Sequence, residues 1–350
     1  MKVLVTGTAG FIGHFTALRL IDMGHEVVGL DSINDYYDIN LKYGRLREAG
    51  FDVAEIKRQR LIRSKKHPKY QFCQAKLEEG DYLKSLFESE NFDAVCNLAA
   101  QAGVRHSLEK PQAYVESNIV GFVNILEACR DSGVKNLSYA SSSSVYGLNE
   151  SMPFCTSDSV NHPVSLYAAS KKSNELLAHT YAHLFGISCT GLRFFTVYGP
   201  WGRPDMAPYI FTKAAFNEET IKVFNHGKMK RDFTYIDDIV DGVVRVIENP
   251  CKADKSWDPQ SPTASTSSAP YKIYNIGNNE PVELLDFINA VESAVGKKIR
   301  KEYTPMQPGD VVATYADVSD MITCLGYKPS TSVKDGMVKT VEWYRSFYNV

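Results

Sequence analysis

Short apolar runs alternate with helical patterns along the first 194 residues of the chain. Lys2–Thr6 is an apolar run, a pattern with helical spacing follows as far as Gly24, and Glu26–Asp31 is a second apolar run. The alternation continues with strands predicted at 70–74, 94–98, 136–141 and 188–194, and with helices predicted at 82–87, 111–129 and 167–185. Because such alternation is typical of parallel sheets covered on both faces, the predicted fold is α/β: a doubly wound, Rossmann-like parallel sheet with a smaller α/β C-terminal lobe.

Two polar stretches interrupt this pattern. Residues 32–68 separate two strand-like runs and are too long for an ordinary connection. They are expected to form an ordered insertion with short helices, one of them at 41–48, and their length points to a functional lid. Residues 254–270 are rich in Ser, Thr, Pro and Asp and are predicted to be a surface loop.

The first strand ends in a glycine-rich turn and the second strand ends in an acid. Gly7, Gly10 and Gly13 follow the first apolar run, and Asp31 comes 18 residues after Gly13. In a strand–turn–helix–strand unit, such glycines let the backbone approach a pyrophosphate, whose charge the helix N-terminus stabilises. An acid at position 31 accepts hydrogen bonds from the adenosine ribose and repels a 2′-phosphate, so NAD is predicted rather than NADP. The alternative, a glycine turn without a ligand, agrees less well with the flanking strands.

A tyrosine and a lysine four residues apart supply candidate catalytic groups. Tyr167 and Lys171 lie on one face of a predicted helix, and a cation beside a phenol lowers the pKa of the phenol. Tyr167 could then take a proton from a substrate hydroxyl. Tyr209 and Lys213 have the same spacing, but they lie beyond the alternating region and are interpreted as structural. Four serines at 141–144 end a predicted strand before the helix of Tyr167, so one of their hydroxyls is expected opposite the phenol.

Composition narrows the classes of partner. The net charge of -2 gives no reason to expect nucleic acid or an anionic membrane, and no apolar stretch approaches the roughly 18 residues of a membrane span. The seven cysteines form no Cys-x-x-Cys pair and the eight histidines form no His-x-x-x-Glu pair, so no metal site and no disulfide framework are expected. With no recognisable signal peptide, a cytoplasmic location is predicted.

The glycine turn, Asp31, the serine cluster and the Tyr167/Lys171 pair occur together with further characteristic stretches. These lie at 34–38, 98–105, 192–206, 231–238, 267–270 and 307–311, and the most specific is Gly-Pro-Trp-Gly-Arg-Pro-Asp-Met at 199–206. Over nearly its whole length the chain resembles the extended short-chain dehydrogenase/reductase family, and within it the nucleotide-sugar epimerases and dehydratases. It is most similar to the branch that acts on UDP-glucuronate.

The resemblance implies a role for each matching position. Ser142 orients the substrate, Tyr167 is the base, and Lys171 both activates Tyr167 and holds the nicotinamide ribose. The other cofactor contacts that it implies are Gly7, Gly10, Phe11, Ile12, Gly13, Asp31, Leu98, Ala99 and Ala100. The other substrate contacts that it implies are Ser143 and Ser144, Arg231 for the diphosphate, and Thr196 and Arg203 for the sugar carboxylate.

The chain is also expected to have two lobes, one that binds the cofactor and one that binds the nucleotide sugar. Residues 1–190 are expected to form the NAD-binding Rossmann domain, with segments near 233–250 and 271–277 returning to it. Residues 191–350 are expected to form mainly the nucleotide-sugar-binding lobe.

The expected partners are a UDP-sugar and a second copy of the chain. In the family, the helices predicted at 111–129 and 167–185 pair across the two-fold axis of a homodimer. One position departs from the family pattern: Lys76 stands where an acid near the adenine is usual, and an ammonium cannot accept a hydrogen bond from the adenine amine. Either Glu78 replaces that acid or NAD is held less tightly.

The residues beside Ser142 select among the reactions of the family. Dehydratases of this family carry an Asp-Glu pair there and UDP-glucuronate decarboxylases a glutamate, whereas Ser143 and Ser144 cannot act as carboxylic acids. The predicted reaction is therefore 4-epimerisation between UDP-glucuronate and UDP-galacturonate through a transient 4-keto intermediate, with a tightly bound NAD. One alternative is a 4-epimerase of neutral sugars such as UDP-glucose or UDP-N-acetylglucosamine, which would leave Arg203 unpaired over a neutral C6. The other is a non-catalytic NAD-sensing protein.

Overall fold

The computed structural model describes residues 1–306 and 312–350, so the characteristic stretch at 307–311 lies outside the described residues. The described chain divides into two compact units. The first comprises 1–149, 156–193 and 240–274, and the second comprises 150–155, 194–239 and 275–350. The glycine turn, the serine cluster and the Tyr167/Lys171 pair all belong to the first unit.

Strands and helices alternate through most of the chain. The strands are β1 (Lys2–Thr6), β2 (Glu26–Asp31), β3 (Ile62–Arg63), β4 (Tyr70–Gln74), β5 (Ala94–Asn97), β6 (Asn136–Ser142), β7 (Ser188–Phe194), β8 (Thr196–Tyr198), β9 (Thr220–Val223), β10 (Lys230–Tyr235), β11 (Tyr271–Ile276), β12 (Pro281–Glu283) and β13 (Arg300–Tyr303). The α-helices are α1 (Phe11–Asp22), α2 (Ile39–Glu48), α3 (Gly80–Glu90), α4 (His106–Glu109), α5 (Pro111–Tyr114), α6 (Gly121–Asp131), α7 (Leu166–Phe185), α8 (Ala207–Asn217), α9 (Ile236–Glu248), α10 (Leu284–Val295), α11 (Ser319–Leu325) and α12 (Val333–Tyr348). Short 3₁₀ turns lie at Val53–Glu55, Ser143–Tyr146 and Phe224–Gly227, and a π-helical segment lies at Val115–Val120.

The large sheet is doubly wound. Its eight strands follow the order β11-β7-β6-β5-β1-β2-β4-β3. β1 pairs in parallel with β2 on one side and with β5 on the other, so that Leu4 lies beside both Val28 and Val95. The chain builds outwards from β1 through β2 and β4 and then crosses back to β5, so the strand order reverses between β1 and β5. Ligands of such sheets bind beyond the carboxyl ends of the strands at this switch point. The α/β, Rossmann-like prediction is confirmed.

Apolar side chains hold the helices against this sheet. Leu4 and Val28 are 0% exposed, and they belong to the same buried cluster as Phe122, Ile125 and Leu126 of α6. Each fully buried aliphatic or aromatic side chain contributes roughly 1.5–3 kcal/mol. The continuous apolar runs in the sequence are therefore those of strands that are buried on both faces.

Smaller sheets and helices form the second unit. One sheet has the order β12-β10-β8, with β8 parallel to β10 so that Thr196 pairs with Phe233, and the other pairs β13 with β9 in parallel. An aromatic cluster packs α8 and α12: Tyr209 contacts Trp343 and Tyr344. These elements make up the smaller α/β lobe that the sequence predicts.

The helix predicted at 111–129 is present and runs without a break from residue 111 to residue 131, but it is not α-helical throughout. It divides into α5, the π-helical segment and α6, which ends at Asp131. Inside the π-helical segment, the buried Asn118 donates to the Ser170 hydroxyl at 3.0 Å and accepts from the Gln101 N–H at 2.8 Å. The extra residue in this turn therefore accompanies a buried hydrogen-bonding group, a common setting for π segments.

The structure agrees with the prediction for the first polar stretch and differs from the prediction for part of the second. The insertion is ordered, with α2, a 3₁₀ turn and β3 inside it, as expected. The surface-loop prediction for 254–270 is wrong for its C-terminal end, because Ser265, Ser267 and Ala269 are buried. Their burial comes with hydrogen bonds that the composition did not reveal: the Ser267 hydroxyl lies 2.9 Å from Nε2 of His179. Within the described residues, the helices are too short or too polar for any of them to cross a membrane.

Candidate active site

The glycine turn follows β1 and leads directly into α1. Gly7 has a φ of 80°, in the left-handed region, and a Cβ at Gly13 would overlap with the carbonyl oxygen of Gly7. Gly10 is the N-cap of α1, and within the described residues the first turn of this helix has neither a side-chain cap nor an acidic residue. No side chain of this turn therefore neutralises the positive end of the helix dipole, and an anion can bind there. Phe11 and Ile12 are the first two residues of this turn.

Asp31 ends β2 beside the glycine turn. Its carboxylate accepts from the Ala9 N–H at 3.1 Å and from the Ile33 N–H at 2.8 Å, and the residue is buried. Each carboxylate oxygen retains acceptor capacity after these bonds. Asp31 thus fixes the turn and can also accept hydrogen bonds from a ribose diol.

The end of β5 lies against the same turn. The Ala99 N–H donates to the Thr6 hydroxyl at 3.0 Å, which in turn donates to the side chain of Asn97 at 2.7 Å. A Cβ at Gly7 would come within 2.9 Å of the Ala99 nitrogen, so only glycine allows this approach. Leu98, Ala99 and Ala100 are therefore placed at the switch point between β1 and β5. Close backbone, an uncapped helix N-terminus and an acid at the end of β2 are what NAD requires, and these residues fit it.

Lys76 lies in the loop after β4, where its backbone is held by a neighbouring acid. The Lys76 N–H donates to a carboxylate oxygen of Glu79 at 2.7 Å, and Glu79 also pairs with Arg58. Glu79 therefore closes this loop, while Glu78 is a half-exposed neighbour. The sequence did not single out Glu79.

The serine cluster divides at the end of β6. Ser142 is the last residue of the strand, and its Oγ accepts from the Ser144 N–H at 3.2 Å and lies 3.1 Å from the Ser144 hydroxyl. Ser141 has its hydroxyl in the interior, where it donates to Glu175 at 2.8 Å. Since side chains alternate along a strand, Ser142 lies on the opposite face from Ser141. Ser143 and Ser144 are half-buried in the 3₁₀ turn that follows.

Tyr167 and Lys171 lie in the first turns of α7. Ser165 caps this helix by accepting from the Ala168 N–H at 3.1 Å, which places Tyr167 at its second residue. Lys171 is 3% exposed, and its ammonium donates to the Ala140 carbonyl of β6 at 2.9 Å. Burial lowers the pKa of Lys171 to about 8. The lysine therefore ties α7 to the strand that ends at Ser142, one helical turn from Tyr167.

A buried ion pair lies behind this group, and the sequence analysis missed it. Glu175 and Arg193 both have side chains that are 0% exposed, and they form two bonds of 2.9 and 3.0 Å. Glu175 also accepts from Ser141, and the Arg193 guanidinium lies 4.9 Å from the centre of the Tyr146 ring. The available signal was Arg193 itself, a charged residue in an otherwise apolar strand.

The predicted substrate groups Thr196, Arg203 and Arg231 belong to the second unit. Thr196 begins β8, and Arg231 in β10 donates to the carbonyls of Lys230 and Val312 at 2.8 and 3.2 Å. Arg203 follows β8 and makes a two-point contact with Asp205, at 3.0 and 2.5 Å. The argument that a neutral sugar would leave Arg203 unpaired is therefore wrong, because Asp205 supplies a carboxylate.

The second Tyr-x-x-x-Lys match has a structural setting. Tyr209 is buried in α8 with its hydroxyl against that of Tyr348, whereas Lys213 is exposed. Trp201 packs against Trp343, an aromatic contact of the kind that stabilises loops. In the part of the chain that the structure describes, no group of three or more His, Cys, Asp or Glu side chains could hold a metal ion.

Comparisons with known proteins give the family. The NAD dependent epimerase/dehydratase family matches residues 3–277. Protein CapI of Staphylococcus aureus is 53% identical over 348 residues, which cover 99% of each chain. A protein of Rhizobium meliloti (strain 1021) named probable UDP-glucuronate 4-epimerase is 44% identical over 353 residues, covering 99% of this chain and 98% of that relative.

Solved structures agree with these relatives. The crystal structure of UDP-glucuronic acid 4-epimerase from Bacillus cereus, in complex with UDP-glucuronic acid and NAD, matches with a TM-score of 0.81 and 32% identity, covering 99% of this chain and 100% of that chain. The resemblance drawn from the sequence motifs is confirmed. The chain belongs to the NAD dependent epimerase/dehydratase family.

Proposed function

We propose that this chain is an NAD-dependent 4-epimerase that interconverts UDP-glucuronate and UDP-galacturonate. The observation that carries the proposal is the group at the end of β6. There, the buried Lys171 ties Tyr167 of α7 to the strand of Ser142, and serines occupy the positions where an eliminating enzyme needs carboxylic acids. The similar proteins of Rhizobium meliloti and Bacillus cereus bear the name of this activity.

Three side chains divide the work at C4 of the sugar. Tyr167, as a phenolate, takes the proton of the 4-hydroxyl, and the positive charge of Lys171 stabilises that phenolate. Ser142 donates a hydrogen bond to the same sugar oxygen and holds it in place. When bound, NAD takes up the hydride from C4 and gives it back. Tyr167 keeps the proton in the meantime and returns it when the hydroxyl forms again, so the reaction involves no net oxidation.

The 4-keto sugar presents its other face before the hydroxyl forms again. Rotation about the diphosphate link exchanges the faces, and Arg231 retains the substrate through its diphosphate meanwhile. Ser143 and Ser144 cannot donate a proton as carboxylic acids do, so they offer no route to loss of water. The group at β6 thus supports inversion at C4 rather than elimination.

A uronate substrate needs control of its carboxylate. The 4-keto form is a β-keto acid, which loses carbon dioxide when the bond from C5 to the carboxyl carbon aligns with the carbonyl π system. Thr196 and Arg203 hold the carboxylate away from that alignment, an effect of orientation on rate. The guanidinium of Arg203 makes two bonds to Asp205 in the structure, so the sugar carboxylate has to share this guanidinium with Asp205 or replace Asp205 on it.

A substrate panel tests the proposal. The purified protein is incubated with UDP-glucuronate, UDP-glucose or UDP-N-acetylglucosamine, and the anomeric proton is followed by NMR, with Tyr167→Phe as control. We expect UDP-galacturonate from UDP-glucuronate and no conversion by the variant. Conversion of a neutral sugar alone would establish the neutral-sugar epimerase, and the absence of any conversion would favour the NAD-sensing protein.

We further propose that the enzyme is a cytoplasmic homodimer. Exposed apolar side chains on the helices of the predicted interface support pairing: Val115 and Val120 on one, Leu176 and Leu184 on the other. Seven free cysteines agree with a reducing compartment. Light scattering of the purified protein should give twice the mass of one chain, and a monomer mass would contradict the pairing.

A further inference from the structure

A strained tryptophan lies in the loop between β8 and α8. This loop, residues 199–206, carries Arg203 and belongs to the second unit. Trp201 has a φ of 60°, in the left-handed region that bulky side chains seldom adopt. Residues in such a conformation are kept there by their surroundings, and they occur most often at functional sites. Some contact of Trp201 must therefore hold it in this conformation.

The chain makes a tight turn at Trp201. The Gly202 N–H donates to the Gly199 carbonyl at 3.1 Å, so Pro200 and Trp201 are the two central residues of this turn. A proline at the first central position and a positive φ at the second are typical of a type II turn, whose second central position ordinarily takes glycine or asparagine. Trp201 thus stands where glycine would form the same turn without strain.

The indole of Trp201 packs on the last helix, α12. The centre of its ring lies 5.1 Å from that of Trp343 and 4.8 Å from that of Phe347, and these two rings stack on each other. Trp201 is only 8% exposed. Because burial of a large aromatic ring is strongly favourable, these contacts offset the strain of the backbone. The ring contacts therefore explain why a tryptophan occupies this position of the turn.

Arg203 lies directly after the turn at 199–202. The Met206 N–H donates to the Arg203 carbonyl at 3.2 Å, so a second turn connects Arg203 to the start of α8. Arg203 and Met206 also line, together with Trp343, a small cavity bounded by this loop, α8 and α12. Within the loop, the guanidinium of Arg203 contacts Asp205 through two bonds. The place of Arg203 thus depends on how the preceding turn is attached to α12.

We propose that Trp201, held by α12, is a positioning residue that fixes Arg203 for the sugar carboxylate and so favours uronate substrates. The inference rests on the proposed function, because Trp201 acts on the carboxylate only through Arg203. A loop released from α12 would let the carboxylate turn into alignment with the carbonyl of the 4-keto sugar. The bond from C5 to the carboxyl carbon then breaks, carbon dioxide leaves, and the electron pair of the bond remains on C5 as an enolate, which takes up a proton from water. Return of the hydride to C4 and of the proton to its oxygen then gives UDP-pentose.

Removal of the indole alone tests the inference. Trp201→Gly keeps the turn, because glycine is favoured at its second central position, and loses the contact with α12. Steady-state kinetics of the full-length protein with UDP-glucuronate give KM and kcat, and chromatography gives the ratio of UDP-pentose to UDP-galacturonate. We expect KM to rise about tenfold with kcat within about threefold of the wild-type value, and the product ratio to rise about tenfold.

A double-mutant cycle shows whether Trp201 acts through Arg203. If it does, Arg203→Ala already removes the contact that Trp201 positions, so the addition of Trp201→Gly should change KM and the product ratio by less than about twofold. Effects that multiply in the double variant would show that Trp201 is only structural and would overturn the inference. Trp201→Phe keeps a ring on α12 and should bring both quantities back towards those of the wild type.

Phe216→Ala is the matched control. Phe216 of α8 stacks on Tyr344 of α12 at 5.2 Å, outside the loop, so its removal should leave KM and the product ratio unchanged. Phe347→Leu loosens the contact from the side of α12; it decides if Trp201→Gly fails to fold, and it should shift both quantities in the same direction. Values equal to those of Phe216→Ala in Trp201→Gly, or in Phe347→Leu where that variant decides, would overturn the inference alone. A wild type that converts no UDP-glucuronate would contradict the proposed function and the inference together.

Discussion

Among single residues, Lys171 shows most clearly that the site is built at a cost in stability. The pKa of about 8 in the folded state lies below the ordinary lysine value of 10.5, because burial disfavours the charged form. The difference corresponds to about 3 kcal/mol at neutral pH. The unfolded chain binds more protons between these two values, so the penalty is complete below pH 8 and is relieved as the pH rises from 8 to 10.5.

Replacement of Lys171 should therefore lower the activity without lowering the stability of the fold. In Lys171→Met we expect kcat for the proposed epimerisation to fall about 10²- to 10⁴-fold, because the phenolate of Tyr167 loses its cation. The free energy of unfolding at pH 7, from urea titration, should be unchanged or higher by up to about 3 kcal/mol. Lys172→Met, on the same helix but part-exposed, is the control. An active or strongly destabilised Lys171→Met would contradict the assignment.

Arg203 is the proposed contact of the sugar carboxylate. Its two bonds to Asp205 show that the guanidinium already engages a carboxylate. In Arg203→Ala we expect KM for UDP-glucuronate to rise about 10- to 100-fold, since hydrogen bonds to charged groups contribute about 1.5–3 kcal/mol. Chromatography should also detect more UDP-pentose from decarboxylation. Arg203→Lys keeps the charge and should be intermediate, whereas normal product and affinity in Arg203→Ala would exclude the carboxylate role.

Among elements, α7 carries the proposed catalytic pair and the buried acid that supports it on one face. Tyr167, Lys171 and Glu175 follow one another at intervals of four residues, so they lie along one side of the helix. Glu175 joins this side to β7 through Arg193 and to β6 through Ser141. The ion pair thereby fixes the register of α7 against the strand that ends at Ser142.

Removal of one charge from the Glu175–Arg193 pair should strongly lower the free energy of unfolding. We expect Glu175→Gln to lower the free energy of unfolding by about 3–5 kcal/mol, because Arg193 would remain as an uncompensated buried charge. Lys172→Ala removes the outer, part-exposed partner of Glu175 and should cost less than about 1 kcal/mol. Urea unfolding monitored by circular dichroism compares the two. Equal and small effects would show that the buried pair does not hold α7 in place.

Most elements of the large sheet could be predicted from local pattern alone. Apart from the two-residue edge strand β3, the strands from β1 to β7 are largely apolar runs because both faces of the sheet are covered. α7 begins one residue before its predicted start because Ser165 caps it. The π-helical segment could not be predicted, since its cause is the tertiary partners of Asn118, namely Gln101 and Ser170. The buried end of the 254–270 stretch has the same kind of cause, a contact between Ser267 and His179.

For the molecule as a whole, sequence motifs indicate the candidate catalytic and cofactor residues, but they do not reveal which other side chains pack around them. Gly7, Asp31 and Tyr167 could be singled out in the sequence because their proposed roles depend on short spacings between residues. The pair of Glu175 with Arg193, and the pair of Arg203 with Asp205, depend on which side chains meet after folding. Because Arg203 pairs with Asp205, a neutral sugar would not leave this arginine unpaired. The choice between an acidic and a neutral sugar therefore depends on the similar proteins and on the substrate panel.

In the proposed reaction, hydride leaves C4 of the sugar and returns to the same carbon on the other face. Incubation of the protein with UDP-glucuronate deuterated at C4, in ordinary water, is the sharpest test of this transfer. We expect the UDP-galacturonate formed to retain deuterium at C4, as read from its mass and its proton NMR spectrum. Product that carries solvent hydrogen at C4 would rule out the proposed transfer.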